Sequence, residues 1–287
     1  MTVNMKIDLV GKKSRGLAMG LNEAAGYGAV GLTALLTGYL ASQYGLRPEP
    51  FYIGIVYTII GLLLSVFIIK DTRAYTLLEA KQTSIENNHK PDLWWVFKET
   101  SFKNKSLFSI SQAGLINNLN DGMSWGVFPL LFMSMGVGLE GMGWIKAVYP
   151  VVRGAGQIIT GPLADKIGRK PLIVWGMFVQ VLGHIIIGFE WFEPLTSGVA
   201  GSVFLGIGTA MVYPALLAAV SDTAYPAWRA LSLGVYRFWR DMGYAAGALM
   251  AGVVGNFFGL VWSVHIAGVL TFISGVIVWI KMKELKY

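Results

Sequence analysis

The sequence predicts an all-α membrane protein with eight spanning helices, and three observations carry that fold class. The chain is 54% hydrophobic and 14% charged over 287 residues, where a soluble domain carries about 25% charged residues. Several apolar runs approach or exceed the ~18 residues that mark a spanning helix. Lys and Arg fall almost entirely on alternate connections between those runs, and the first two runs repeat the last two at a fixed offset.

Taken in order, the spans fall at about 16–42, 51–69, 107–135, 142–163, 171–189, 197–220, 231–255 and 261–280. The longest break, 70–105, is polar and reads as a loop joining two bundles. Its "DLWWVFKE" piece predicts a short helix at the membrane interface, where Trp is favoured. Eighteen Lys and Arg residues lie on the side of the termini and of this loop, against Arg47 alone on the other. Lys146, Arg153, Arg237 and Arg240 fall inside spans. One missed or invented helix would scramble that split. By the positive-inside rule both termini are expected in the cytoplasm.

The repeat appears when the chain is shifted by 214 residues. Asp8 then falls on Asp222 and Arg15 on Arg229, and Gly20, Gly38, Gly45, Gly54 and Gly61 fall on Gly234, Gly252, Gly259, Gly268 and Gly275. Aligned Leu and Ala come freely in apolar helices, but five glycines and an Asp-x6-Arg pattern do not. Parallel repeats of this kind typify two-bundle transporters. Spans seven and eight close a run of six, so spans one and two should close an earlier run of six. The expectation is therefore a chain that begins at an internal Met, with four helices lacking.

Composition excludes several classes. There are no cysteines, hence no disulfide framework and no thiolate metal site. His89, His184 and His265 lack ligand spacing. The net charge of +7 is not clustered with stacking aromatics, as a nucleic-acid surface would require. No Walker A motif, nucleophile elbow or metal cluster is present, so no enzyme activity, cofactor or metal is expected.

Between the fourth and fifth spans lies "GPLADKIGRKP", four charges in eleven residues. Gly161, Leu163, Ala164, Asp165, Gly168, Arg169 and Lys170 match the pattern G-x-L-A-D-x-x-G-R-K, on the side that the charge count makes cytoplasmic. In sequence, placement and side, the chain resembles the major facilitator superfamily. "YPALLAAVSDTAYPAWRALSLGVYRFWRD" further resembles its drug/proton antiporter-like branch. The resemblance implies a major facilitator fold truncated at its N-terminal side, covering about the last eight of twelve helices. Residues 1–69 would close the first bundle, 70–105 would form the cytoplasmic inter-bundle loop, and 106–287 would make a complete second six-helix bundle.

It also implies a secondary active transporter of a small solute, working by alternating access. The protein would be proton-coupled, would export amphipathic compounds, and would sit as a monomer in the plasma (inner) membrane. A passive facilitator or channel, and a transporter-fold sensor without transport, stay open. In the family the signature loop latches one bundle to the other. Here Gly161 and Gly168 would allow a tight turn. Asp165 would meet Arg15 and the positive end of the first span's helix dipole. The bland alternative is a solvated loop that only sets topology.

Charges inside spans are costly, ~2.5–3.5 kcal/mol each on insertion scales, and mark functional candidates. Spans two, five and eight carry none and suit the lipid-facing periphery, with His184 and His265 as packing residues. The candidates for a substrate and proton cavity are Glu23, Asn117, Asn118, Asn120, Asp121, Arg153, Arg237 and Asp241. "INNLNDGMSW" predicts a weakened or broken helical turn, since Asn and Gly are poor helix formers; helix-to-helix hydrogen bonding is the alternative. Asp121 and Arg153 lie at nearly equal depth on either side of a hairpin, about 3 Å apart at 1.5 Å per residue. Arg237 and Asp241, at i and i+4, would pair locally. Tyr213-Pro214 would bend span six, with a plain kink as the alternative. The Gly154/Gly156 and Gly243/Gly247 sets predict close helix packing. Glu23 is expected within reach of Arg153 where, in the family, these two helices meet, so that Arg153 can exchange Asp121 for Glu23.

Overall fold

The computed structural model describes residues 15–67, 92–189, 192–224 and 228–284; the side chains of 15–23 and 165 are outside that description. The eight predicted spans correspond to eight long helices. They are α1 (Arg15–Tyr44), α2 (Glu49–Phe67), α4 (Lys105–Ser134), α5 (Leu139–Ile167), α6 (Arg169–Gly188), α7 (Pro194–Thr223), α8 (Arg229–Phe258) and α9 (Leu260–Lys281). The predicted interfacial piece is a short helix, α3 (Leu93–Lys98), continued by a π turn over Glu99–Lys103. It lies on α8: Thr100 Oγ1 is 2.8 Å from Ser232 Oγ, and Trp239 Nε1 donates to Ser101 Oγ at 2.8 Å.

The repeat is visible in the backbone. α1 and α8 both run 30 residues, and a shift of 214 carries Arg15 to Arg229 and Tyr44 to Phe258. Each stops at a glycine in the left-handed region, Gly45 at φ 94° and Gly259 at φ 93°. Only glycine enters that conformation without a Cβ penalty, so the same residue ends both copies.

Helices α4 to α9 pack on one another, α1 lies along α5, and α2 packs on α1. α2 buries no side chain. Among the described residues five helices are long and apolar enough to cross a membrane, α1, α2, α6, α7 and α9. The other three long helices, α4, α5 and α8, carry the intramembrane charges that lower their hydropathy. Two apolar clusters fill the ends of the α4–α9 group. One includes Ile110, Ile173, Leu216 and Val278, the other Phe128, Phe132, Ile145 and Val264. The polar side chains lie between them.

Glycine sets the closest approaches. A Cβ on Gly38 would lie 2.7 Å from Gly143 Cα, and one on Gly154 would lie 3.2 Å from Ala24 Cα, so α1 and α5 touch backbone to backbone. A Cβ on Gly247 would lie 2.7 Å from Leu119 O, and one on Gly156 would lie 2.7 Å from Ala210 Cβ. The predicted close packing of the Gly154/Gly156 and Gly243/Gly247 sets is therefore present.

Two local expectations need correction. The expected break in "INNLNDGMSW" is absent: α4 runs through it without interruption, because its Asn side chains bond to neighbouring helices and leave the backbone to the helix. And the signature segment is not a loop. α5 stays helical to Ile167, Gly161 included, and the whole reversal is made by Gly168 at φ 97°.

Candidate functional site

The α5–α6 corner is held by side chains from distant elements. The Glu284 carboxylate accepts from the backbone N–H of Arg169 at 2.9 Å and of Lys170 at 2.8 Å, capping the positive end of α6. A Cβ on Gly168 would collide with that carboxylate. Arg169 Nε donates to Asp222 Oδ2 at 3.3 Å, tying the corner to the end of α7. Leu163 packs against the adjoining apolar cluster and Lys170 is half-buried. The side chains of Asp165 and Arg15, the two members of the predicted latch, lie outside the described residues, as does that of Glu23.

At mid-depth α4 and α5 meet in a buried ion pair. Arg153 Nη1 donates to Asp121 Oδ2 at 2.7 Å, with the two side chains 3% and 1% exposed. This is the pair that the depth argument predicts. Tyr149, one turn before Arg153 on the same face of α5, donates its hydroxyl to Asp121 Oδ1 and accepts from Arg153 Nη1 at 3.2 Å. Tyr244 of α8 donates to Asp121 Oδ2 at 3.4 Å. The guanidinium lies over the ring of Tyr27 from α1, 4.2 Å from its centroid, and 5.2 Å from that of Tyr213 in α7. Five helices thus converge on one guanidinium–carboxylate pair, and the two charges satisfy one another where neither can be hydrated.

Asn117 and Asn120 do not join that pair. Asn120 Nδ2 donates to Gln180 Oε1 at 2.8 Å and to Thr271 Oγ1 at 2.9 Å, and Gln180 Nε2 donates to Asn117 Oδ1 at 2.9 Å. This second layer ties α4 to α6 and α9. His184 extends it, its Nδ1 2.9 Å from Gln180 O. His265 packs between the rings of Phe189 and Trp262. Asn118 is buried against α8, where a Cβ on Gly243 would lie 3.0 Å from its Cβ. Its Nδ2, together with Gln157 Nε2 and Oε1 and Tyr236 OH, is buried without a hydrogen-bond partner among the described residues.

The expected Arg237–Asp241 pair is replaced. Asp241 takes its neighbour Arg240 at 2.9 Å and is 60% exposed. Arg240 also donates to Tyr213 OH at 3.2 Å, so it is drawn inward while Arg237 faces out. Sequence reading missed Tyr149, Tyr244 and Tyr27, and named Tyr213 only as part of a bend. Only Tyr149 left a signal, since i−4 from Arg153 places it on the same helix face.

An all-helical membrane protein with a charged pair buried between its helices is the class that this fold and site define. The chain belongs to the Major Facilitator Superfamily, whose profile matches residues 110–286. It is similar to the methyl viologen resistance protein SmvA of Salmonella typhimurium, 31% identical over 127 residues, 44% of this chain and 25% of that one. The multidrug resistance protein MdtH of Shigella boydii is 32% identical over 91 residues, 27% of this chain and 22% of its own. A solved structure of the peptide transporter POT in complex with alafosfalin superposes with a TM-score of 0.56 at 18% identity, over 66% of this chain and 41% of that chain. That likeness concerns the fold. The matched stretches thus span about a quarter of the two curated relatives and two-fifths of the solved chain.

Proposed function

We propose that the protein takes part in secondary active transport of a small solute by alternating access, coupled to protons, with residues 1–69 and 106–287 in different bundles and both termini cytoplasmic. The observation that carries this reading is the position of Arg153. Its guanidinium pairs with Asp121 of α4 and at the same time lies over Tyr27 of α1, one turn from Glu23 on that helix. Rocking of α1 against α5 along their glycine contact would let Arg153 exchange Asp121 for Glu23. A carboxylate that loses its cation inside a low-dielectric site takes up a proton. The charged corner at Gly168 and the latch assigned to Asp165 and Arg15 would be made and broken in the same motion. The resistance-protein relatives support export of amphipathic compounds as the direction and class of cargo.

The test is proton movement in everted membrane vesicles from cells that carry the gene in its natural context. The expected result is solute-driven proton movement that falls at least about tenfold in Glu23→Gln and in Asp121→Asn, the scale of a lost essential proton carrier. Unchanged coupling in both variants would rule out the exchange.

A further inference from the structure

Among the described residues two intramembrane cations are left without an ion pair, Arg237, which faces out, and Lys146, which turns inward. Lys146 lies on the same face of α5 as Tyr149 and Arg153, at i+3 and i+7 from it, and so opens the same polar stripe two turns nearer the α4–α5 connection. It is half-buried and makes no ion pair among the described residues. Its ammonium donates to the backbone carbonyl of Ser124 and lies 4.4 Å from the ring centroid of Trp125, a side chain that is itself 44% exposed. A carbonyl and a ring face are dipole and quadrupole; neither neutralises a unit charge. The intramembrane charge as a whole is in basic surplus. Inside the spans four basic residues, Lys146, Arg153, Arg237 and Arg240, are counted against three acidic ones, Glu23, Asp121 and Asp241.

We propose that Lys146 anchors an anionic group of the transported solute, and that Trp125 flanks the apolar or aromatic body attached to it. The cargo class is then a small amphipathic organic anion, such as an aryl or alkyl carboxylate. This rests on the transport reading above and narrows it. An ammonium held beside an open aromatic face offers a charge-assisted hydrogen bond to a carboxylate and a flat surface to the rest of the molecule. A cationic solute would meet like charge there, with no carboxylate among the described residues in contact with Lys146 to offset it. Arg153 does not compete for the anion, since Asp121 already holds it.

The experiment is equilibrium binding by titration calorimetry to the purified 287-residue chain in nanodiscs, with empty nanodiscs subtracted. The probes share a naphthalene body: 2-naphthoate, 2-naphthylmethanol and 2-naphthylmethylammonium. The expected order is anion, then neutral, then cation, with the anion ahead of the neutral probe by about tenfold or more, as one charged hydrogen bond supplies. Lys146→Gln, which keeps a donor for the Ser124 carbonyl, should bring the anion to within about twofold of the neutral probe, and Lys146→Arg should retain the preference. A wild-type chain that binds the cation as well as the anion, or an anion preference that survives Lys146→Gln, overturns the proposal. The wild-type order alone is decisive if the Gln variant does not fold. An intact order without solute flux in vesicles supports the anion site and overturns the transport reading; flux with no charge preference does the reverse.

Discussion

Replacing Asp121 by Leu should be among the most damaging single changes to stability, and replacing Arg153 as well should repair most of it. Two unit charges at the observed 2.7 Å separation attract by about 6 kcal/mol at an effective dielectric constant of ~20. Their joint desolvation offsets most of that gain. Asp121→Leu removes the attraction and keeps the desolvation of Arg153, which costs about 3–5 kcal/mol for a buried pair. Tyr149 and Tyr244 lose their acceptor too, at about 0.6 kcal/mol each for hydrogen bonds between membrane helices. The rings of Tyr27 and Tyr213 still face the guanidinium and hold the loss toward the lower end. In the Asp121→Leu/Arg153→Leu double variant no charge is left stranded, and the cost should fall to about 1–2 kcal/mol. The assay is reversible unfolding in mixed micelles, followed by circular dichroism, for the two single variants and the double. A coupling energy of at least about 2 kcal/mol is expected. Additivity within about 0.5 kcal/mol would show that the pair is not an interacting unit and would refute the reasoning.

Two further changes test the scaffold around the site. Gly168→Ala puts a Cβ on a φ of 97° and into the Glu284 carboxylate; it should cost about 1–3 kcal/mol, with hydrogen exchange rising first in the opening turn of α6. Gln180→Leu takes a hydrogen-bond partner from both Asn117 and Asn120 and should cost about 1–3 kcal/mol in the same unfolding assay. His184 should be spared, since it bonds to the backbone of residue 180 rather than to its side chain.

The sequence by itself determined the membrane class, the number and order of the long helices, and the repeat. These follow from one-dimensional signals: apolar length, the alternation of Lys and Arg, and glycines aligned at a fixed offset. The offset of 214 even matched the bounds of α1 and α8, because the glycine that stops each helix is itself part of the repeated pattern. Asp121 and Arg153 were legible as a pair for a related reason. In a hairpin that crosses a bilayer, distance along the chain from the turn is depth, and depth is half of the information needed to find a partner. Rotation about each helix axis is the other half, and it came only from tertiary packing. Asn117 and Asp121 are four residues apart, yet one serves α6 and the other α5, and Asp241 took the adjacent Arg240 rather than Arg237 at i−4. The tyrosines around Arg153 come from α1, α5, α7 and α8, with no common spacing to betray them. The signature segment read as a loop because it is charged and glycine-bracketed. It is helix and a one-residue corner because a carboxylate more than a hundred residues away caps α6.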